Sequence, residues 1–258
     1  MTMALPYTLE RTVVIHASPE TVFRFFTDSV RWAAWWGTGS TIDPKAGGKI
    51  YVRHPGAVEA VGEVLEIEPP QRITFSYGYA TGKPMPPGAS RVTIRLDPEP
   101  RGTKLHLTHE FAEAAARDEH VQGWRFQLAV FSNVVANEVY ANAAAVIDQW
   151  YTAWSVPDDK TREDLLAKTV NAAIQFRDRY SLLDGIPDLV AHTGAAQRFM
   201  PGIGLQRKGD VRHCQGTVLA EWVARSIDGQ EKMSGTSVFV FAPDLKIESV
   251  TSVPNPTS

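Results

Sequence analysis

Asp178 is the residue whose type and place most suggest chemistry. It closes the short apolar run Ile174–Asp178, and in an extended chain positions 174, 176 and 178 share one face. A carboxylate beside Ile174 and Phe176 on an apolar wall has its pKa raised by desolvation, which suits a general base. The same residue can instead end a strand and cap the turn at Arg179–Ser181, and both readings stand. His109 follows Leu105 and Leu107 at alternating positions, and His54 follows Ile50 and Val52 in the same way. Each imidazole therefore leans toward the apolar side of a strand. There it could hold a polar ligand group, shuttle a proton or sit satisfied in a core. Trp124, with Trp32, Trp35 and Trp36, offers ring surface either to a pocket or to ordinary core packing.

Other chemistries find no support. His54, His109 and the distant acids do not converge at metal-ligand spacing, so no metal is expected. Gly202-Ile203-Gly204 is too short for a phosphate-cradling loop, and no cofactor is expected. Cys214 is the one cysteine, which excludes an intramolecular disulfide and a cysteine metal cluster. A reducing, cytoplasmic setting is the corresponding expectation. The net charge of −3, from 26 basic and 29 acidic residues, gives no basic surplus for nucleic acid or an anionic membrane. The opening MTMALPYTLERT lacks a basic region followed by an apolar run, so no signal peptide is expected, and no apolar stretch is long enough to span a bilayer.

Two kinds of element must position these residues. With 258 residues, the chain lies where one core usually gives way to two domains. After a strand at Tyr7–His16, Ser18-Pro19 reads as a helix start. Strand-like runs follow at Lys49–Arg53, Val58–Ile67, Arg72–Tyr79, Arg91–Leu96 and Lys104–Glu110, separated by turn-rich segments. From Asp118 the apolar period becomes helical, through Val121, Trp124, Leu128, Phe131 and Val135. A second stripe, Val146, Trp150, Ala153 and Trp154, places a domain break near Asn137–Asn142. Beyond it the pattern predicts a helix at Thr161–Val170 capped by Thr161, a strand at Ala173–Asp178 and a helix at Gly185–Phe199. Strands are predicted at Val211–Arg225, Lys232–Phe241 and Ile247–Val253.

The segments IHASPETVFRFFTD, WAAWWG, the Gly47-Gly48 pair, VGEVLEIEPPQRITFSYG, SRVTIRL, GTKLHLTHE and Gly123-Trp124 together resemble the SRPBCC, START-like superfamily. The resemblance is to the branch named for the activator of the ninety-kilodalton heat-shock ATPase. It covers residues 1–138 and implies a helix-grip fold, a curved antiparallel sheet around a long C-terminal helix, with a cavity between. The segments VIDQWYTAW, FRDRYSLLDG, EWVARSIDG and LKIESVTSV resemble SnoaL-like, nuclear-transport-factor-2-like domains over residues 139–258. That resemblance implies an α+β cone, a bent sheet packed on three helices around an interior pocket. It also implies that Asp178 stands where cone-fold isomerases keep their proton-shuttling Asp. The oxyanion-hole Tyr of the ketosteroid isomerase in that group falls near Trp150 here, and its protonated Asp near Ser237. Trp and Ser can donate hydrogen bonds but do not reproduce that pair.

Neither fold determines a function. The reading from the sequence is a small-molecule binding or accessory protein with a small hydrophobic ligand. Its candidate contacts are Trp124, His109, His54, Trp150 and Ser237. The alternative is a cofactor-free isomerase, cyclase or lyase with Asp178 as base. The resemblance further implies a homodimer through the second domain. No added interaction segment supports a chaperone partner, and neither nucleic acid nor membrane is expected as a partner.

Overall fold

A computed structural model describes residues 4–256, so Met1–Met3, where the reading of the N-terminal segment begins, lie outside the described residues. The chain divides into two compact units between Ala136 and Asn137. Among the described residues no helix is long and apolar enough to cross a membrane.

The first unit opens with β1 (Tyr7–Ile15). Ser18 Oγ then accepts the Thr21 N–H at 3.3 Å, and Pro19 takes the first position of α1 (Pro19–Arg24). Asp28 Oδ1 accepts from the Arg31 N–H at 2.8 Å and starts α2 (Ser29–Trp36), which buries Trp32, Trp35 and Trp36. Gly37 ends α2 at φ 137°, and a Cβ there would stand 2.2 Å from the Arg53 carbonyl oxygen. Only glycine meets both conditions. Then come β2 (Thr41–Ile42), β3 (Lys49–Arg53), β4 (Glu59–Glu68), β5 (Arg72–Tyr79), β6 (Ser90–Glu99) and β7 (Gly102–Phe111). They form one antiparallel sheet in the order β1-β7-β6-β5-β4-β3-β2, closed by α3 (Ala114–Val139). Leu105, Leu107, His109 and Phe111 of β7 all face the core, buried together with Trp124, Leu128 and Phe131 of α3.

The second unit has α4 (Ala143–Ser155), α5 (Asp159–Thr169), β8 (Val170–Arg177), β9 (Leu182–Asp184) and α6 (Gly185–Phe199). Four long strands follow: β10 (Gly204–Cys214), β11 (Thr217–Arg225), β12 (Glu231–Phe241) and β13 (Ile247–Pro254). The sheet order is β10-β11-β12-β13-β8-β9, with β13 and β8 parallel and the other neighbours antiparallel. Three helices on a six-stranded sheet make the α+β cone that the second resemblance implies, as the first unit makes the helix-grip. Two local expectations are corrected. Asp158, not Thr161, caps α5, because its carboxylate accepts both the N–H and the hydroxyl of Thr161 at 2.7 Å. The run Val211–Arg225 is not one strand: Gln215 and Gly216 both take positive φ, and the chain folds there into the β10–β11 hairpin.

Candidate functional site

The second unit encloses a cavity of about 520 Å³. Its wall is mostly ring surface: Trp150 and Trp154 from α4, Phe176 from β8 and Trp222 from β11. Trp154 and Phe176 have ring centroids 5.2 Å apart, and Trp150 stands 5.9 Å from each of them. The volume is within the usual range for small-molecule sites. Trp222 can lie flat on the sheet because its neighbour is Gly235. A Cβ at Gly235 would meet the indole at 2.6 Å.

Three buried polar atoms on this wall lack a hydrogen-bond partner among the described residues: the indole Nε1 of Trp154, that of Trp222 and the hydroxyl of Tyr151. Their residues are only 8, 5 and 2% exposed. An unpaired buried donor costs about 1–3 kcal/mol. Burial pushes the Tyr151 phenol up to about 12, with the nearby Ser237 hydroxyl opposing the shift. Ser237 itself is fully buried and donates to Ser252 Oγ at 3.0 Å.

Asp178 stands at the end of β8, half-buried, and is part of the cavity wall. Its Oδ1 accepts the Tyr180 N–H at 2.8 Å, and its own N–H donates to the Ser181 carbonyl at 3.0 Å. Asp178 thus caps its turn and lines the cavity. Ser181 Oγ lies 3.3 Å from Nε2 of His192, which comes from α6 and also lines the cavity. The structure brings Asp178, Trp150 and Ser237 to one cavity. Sequence reasoning passed over Trp154, Trp222, Tyr151 and His192. The apolar period of α4 and the alternation of β11 show that these Trp and Tyr residues point inward, but not that their polar atoms lack partners.

His54, His109 and Trp124 belong to the first unit, where they meet in a different way. The Trp124 indole donates to His109 Nδ1 at 2.9 Å. The His109 proton therefore sits on Nε2, which donates to Ser90 Oγ at 2.8 Å, and Ser90 donates to the Tyr77 carbonyl at 2.9 Å. Burial, then the nearness of His120, holds His109 neutral and well below the ordinary histidine pKa. His54 Nε2 pairs with the Tyr77 hydroxyl at 2.8 Å. The Tyr79 hydroxyl lies 3.2 Å from His120 Nε2, and His120 Nδ1 donates to the Ala116 carbonyl at 2.6 Å. Burial also lowers His54 and His120. This is a largely satisfied polar network inside a core of rings. Among the described residues no three His, Cys, Asp or Glu side chains are grouped to hold a metal ion.

No curated protein matches the chain. Residues 16–136 match the family model described as activator of Hsp90 ATPase homolog 1-like protein. Solved structures share the architecture of parts of the chain. A SnoaL-like family protein from Agrobacterium tumefaciens is 19% identical over 45% of this chain and 99% of its own, with a TM-score of 0.43. CalU16 from Micromonospora echinospora is 28% identical over 52% of this chain and 78% of its own, with a TM-score of 0.40. The Aha1 dimer of Colwellia psychrerythraea is 18% identical over 47% of this chain and 90% of its own, with a TM-score of 0.42. Residues 16–136, a little under half of the chain, are thus similar to the activator of Hsp90 ATPase homolog 1-like family.

Proposed function

We propose that this chain binds a small, mostly apolar molecule and that the second unit's cavity is the site. The observation that carries this reading is the cavity lined by Trp150, Trp154, Phe176 and Trp222, of which Trp154 and Trp222 have buried indole N–H groups with no partner among the described residues. A ligand that fits is ring-sized and presents an acceptor oxygen to an indole N–H. It gains a hydrogen bond that no wall group supplies, worth about 1 kcal/mol or fivefold in affinity. The test titrates the protein with 1-indanone and with indane, following tryptophan fluorescence. Saturable quenching by both is expected, with indanone tighter by about fivefold. Absence of saturable binding by either would overturn the reading.

A second reading rests on Asp178 at the same wall. If its carboxylate acts as a base, it removes a proton from the carbon next to a bound carbonyl, and the Trp150 and Ser237 side of the cavity faces the developing enolate. In heavy water, the α-protons of 1-indanone would then exchange faster with the protein than without it. The acceleration would vanish in Asp178→Asn, which keeps the turn and removes the base.

A further inference from the structure

The cavity is electrically lopsided. Among the described residues Asp178 supplies the one carboxylate on its wall, and no Lys or Arg lines it. Arg177 and Arg179 are exposed to solvent, and the Arg179 guanidinium lies 5.6 Å from the Tyr180 ring centroid. The other titratable side chains on the wall are Tyr151, Tyr180 and His192. Phe176 and Tyr180, two residues either side of Asp178 in the chain, also line the cavity, and the Trp154 ring stands 5.2 Å from that of Phe176. Ring faces carry negative quadrupole charge and attract organic cations, most strongly where water is displaced.

The sheet register separates this end from the donor end. Val250 of β13 pairs with Phe176 and Thr251 with Arg177, the last residue of β8, so Asp178 follows that strand on the side where β13 runs on to Ser252. Ser252 pairs with Ser237 in β12, while Trp222 in β11 pairs with Gly235. Asp178 and Trp222 are thus three strands apart, about 14 Å between backbones. Trp222 and Asp178 thus both line the cavity, three strands apart in the sheet.

We infer that the ligand is bipolar: an apolar ring body with an acceptor oxygen toward Trp222 and an organic ammonium group against Asp178 and its aromatic neighbours. This rests on the binding reading above and adds the charge. An ammonium gains the ion pair and the ring faces together. A neutral group at that place leaves the carboxylate without a counter-charge.

The test compares 5-(aminomethyl)-1-indanone with its uncharged isostere 5-ethyl-1-indanone by calorimetry and fluorescence at neutral pH. The amine is expected to bind about tenfold more tightly. The preference should shrink in 0.5 M salt, about where screening acts over a few ångströms. It should disappear in Asp178→Asn, whose amide oxygen can still accept the Tyr180 N–H. Equal affinities for the two probes, with both binding, would overturn the inference and leave the binding reading standing. A preference that survives Asp178→Asn would also overturn it. Failure of both probes to bind would remove the two proposals together. If Asp178→Asn does not fold, as circular dichroism would show, the salt series on the unaltered protein decides the matter, and a salt-independent preference counts against the inference.

Discussion

In the first unit the indole N–H of Trp124 has an imidazole to donate to; in the second, the indoles of Trp154 and Trp222 have no partner among the described residues. Both interiors are built from Trp, Tyr and His, and both are deeply buried. The first places its polar atoms in a relay from Trp124 through His109 and Ser90 to the Tyr77 carbonyl, with the buried indole N–H of Trp36 as an exception. The second leaves the buried indole N–H groups of Trp154 and Trp222, two residues that line a cavity, without a partner among the described residues. A buried donor that is satisfied stabilises its fold, whereas one that is not is a cost that a ligand can relieve. The comparison therefore sets an interior whose polar atoms are mostly paired beside the one proposed to bind a ligand.

The largest break in this contrast should come from His109→Ala. It removes a buried ring, leaves the Trp124 N–H without its acceptor and takes from the Ser90 oxygen its donor, while Ser90 still donates to the Tyr77 carbonyl. The first unit should lose about 2–4 kcal/mol of stability in denaturant titration, with indanone binding by the second unit unchanged. If indanone affinity fell in parallel while the second unit stayed folded, the division of roles would be wrong.

Acid should act next, and on the same side. His54, His109 and His120 all have folded pKa values below the ordinary 6.5, mainly through burial. Above about pH 6.5 both folded and unfolded chains carry them neutral, and their contribution to stability is intact. As the pH falls through that value the unfolded chain takes up protons that the folded chain resists. Stability is then lost progressively down toward the folded pKa values. In the second unit burial lowers His213, which is nearer the surface. Hydrogen exchange followed by mass spectrometry between pH 7.5 and 5, corrected for intrinsic rates, should show β5 and β7 losing more protection than β11 and β12. Equal losses would remove the contrast.

The smallest effect sharpens it most, because the substitution is the same on both sides. Trp124→Phe leaves His109 Nδ1 without a donor and should cost about 1–2 kcal/mol. Trp222→Phe deletes a donor that is already unpaired. Stability should stay within about 0.5 kcal/mol or rise, while the advantage of indanone over indane shrinks toward nothing. Equal destabilisation by the two substitutions would mean that Trp222 has a partner in the folded protein.

Much of the fold could be read from local pattern. The alternation through β5 and β7, the three-and-four stripe of α3 and the cap at Ser18-Pro19 all reappear, because each depends on residues close in sequence. The two-residue strand β2 and the three-residue β9 were not legible, since so short a run has no period. Nor was the cap of α5: Asp158 and Thr161 are both good caps, and only the bonds formed decide between them. For the site, Asp178, Trp150 and Ser237 could be named in advance through the resemblance to cone-fold proteins, and the structure puts them on one wall.

Sequence alone, then, determined that there are two α+β units and which faces of their elements are apolar, because periodicity is a property of neighbouring residues. Tertiary structure decided which buried polar atoms are paired. Trp124 meets a histidine 15 residues away, whereas Trp222 lies over a glycine on the next strand and finds none. A hydrogen bond needs a partner within about 3 Å in the right direction, and that depends on how distant segments pack rather than on any pattern along the chain.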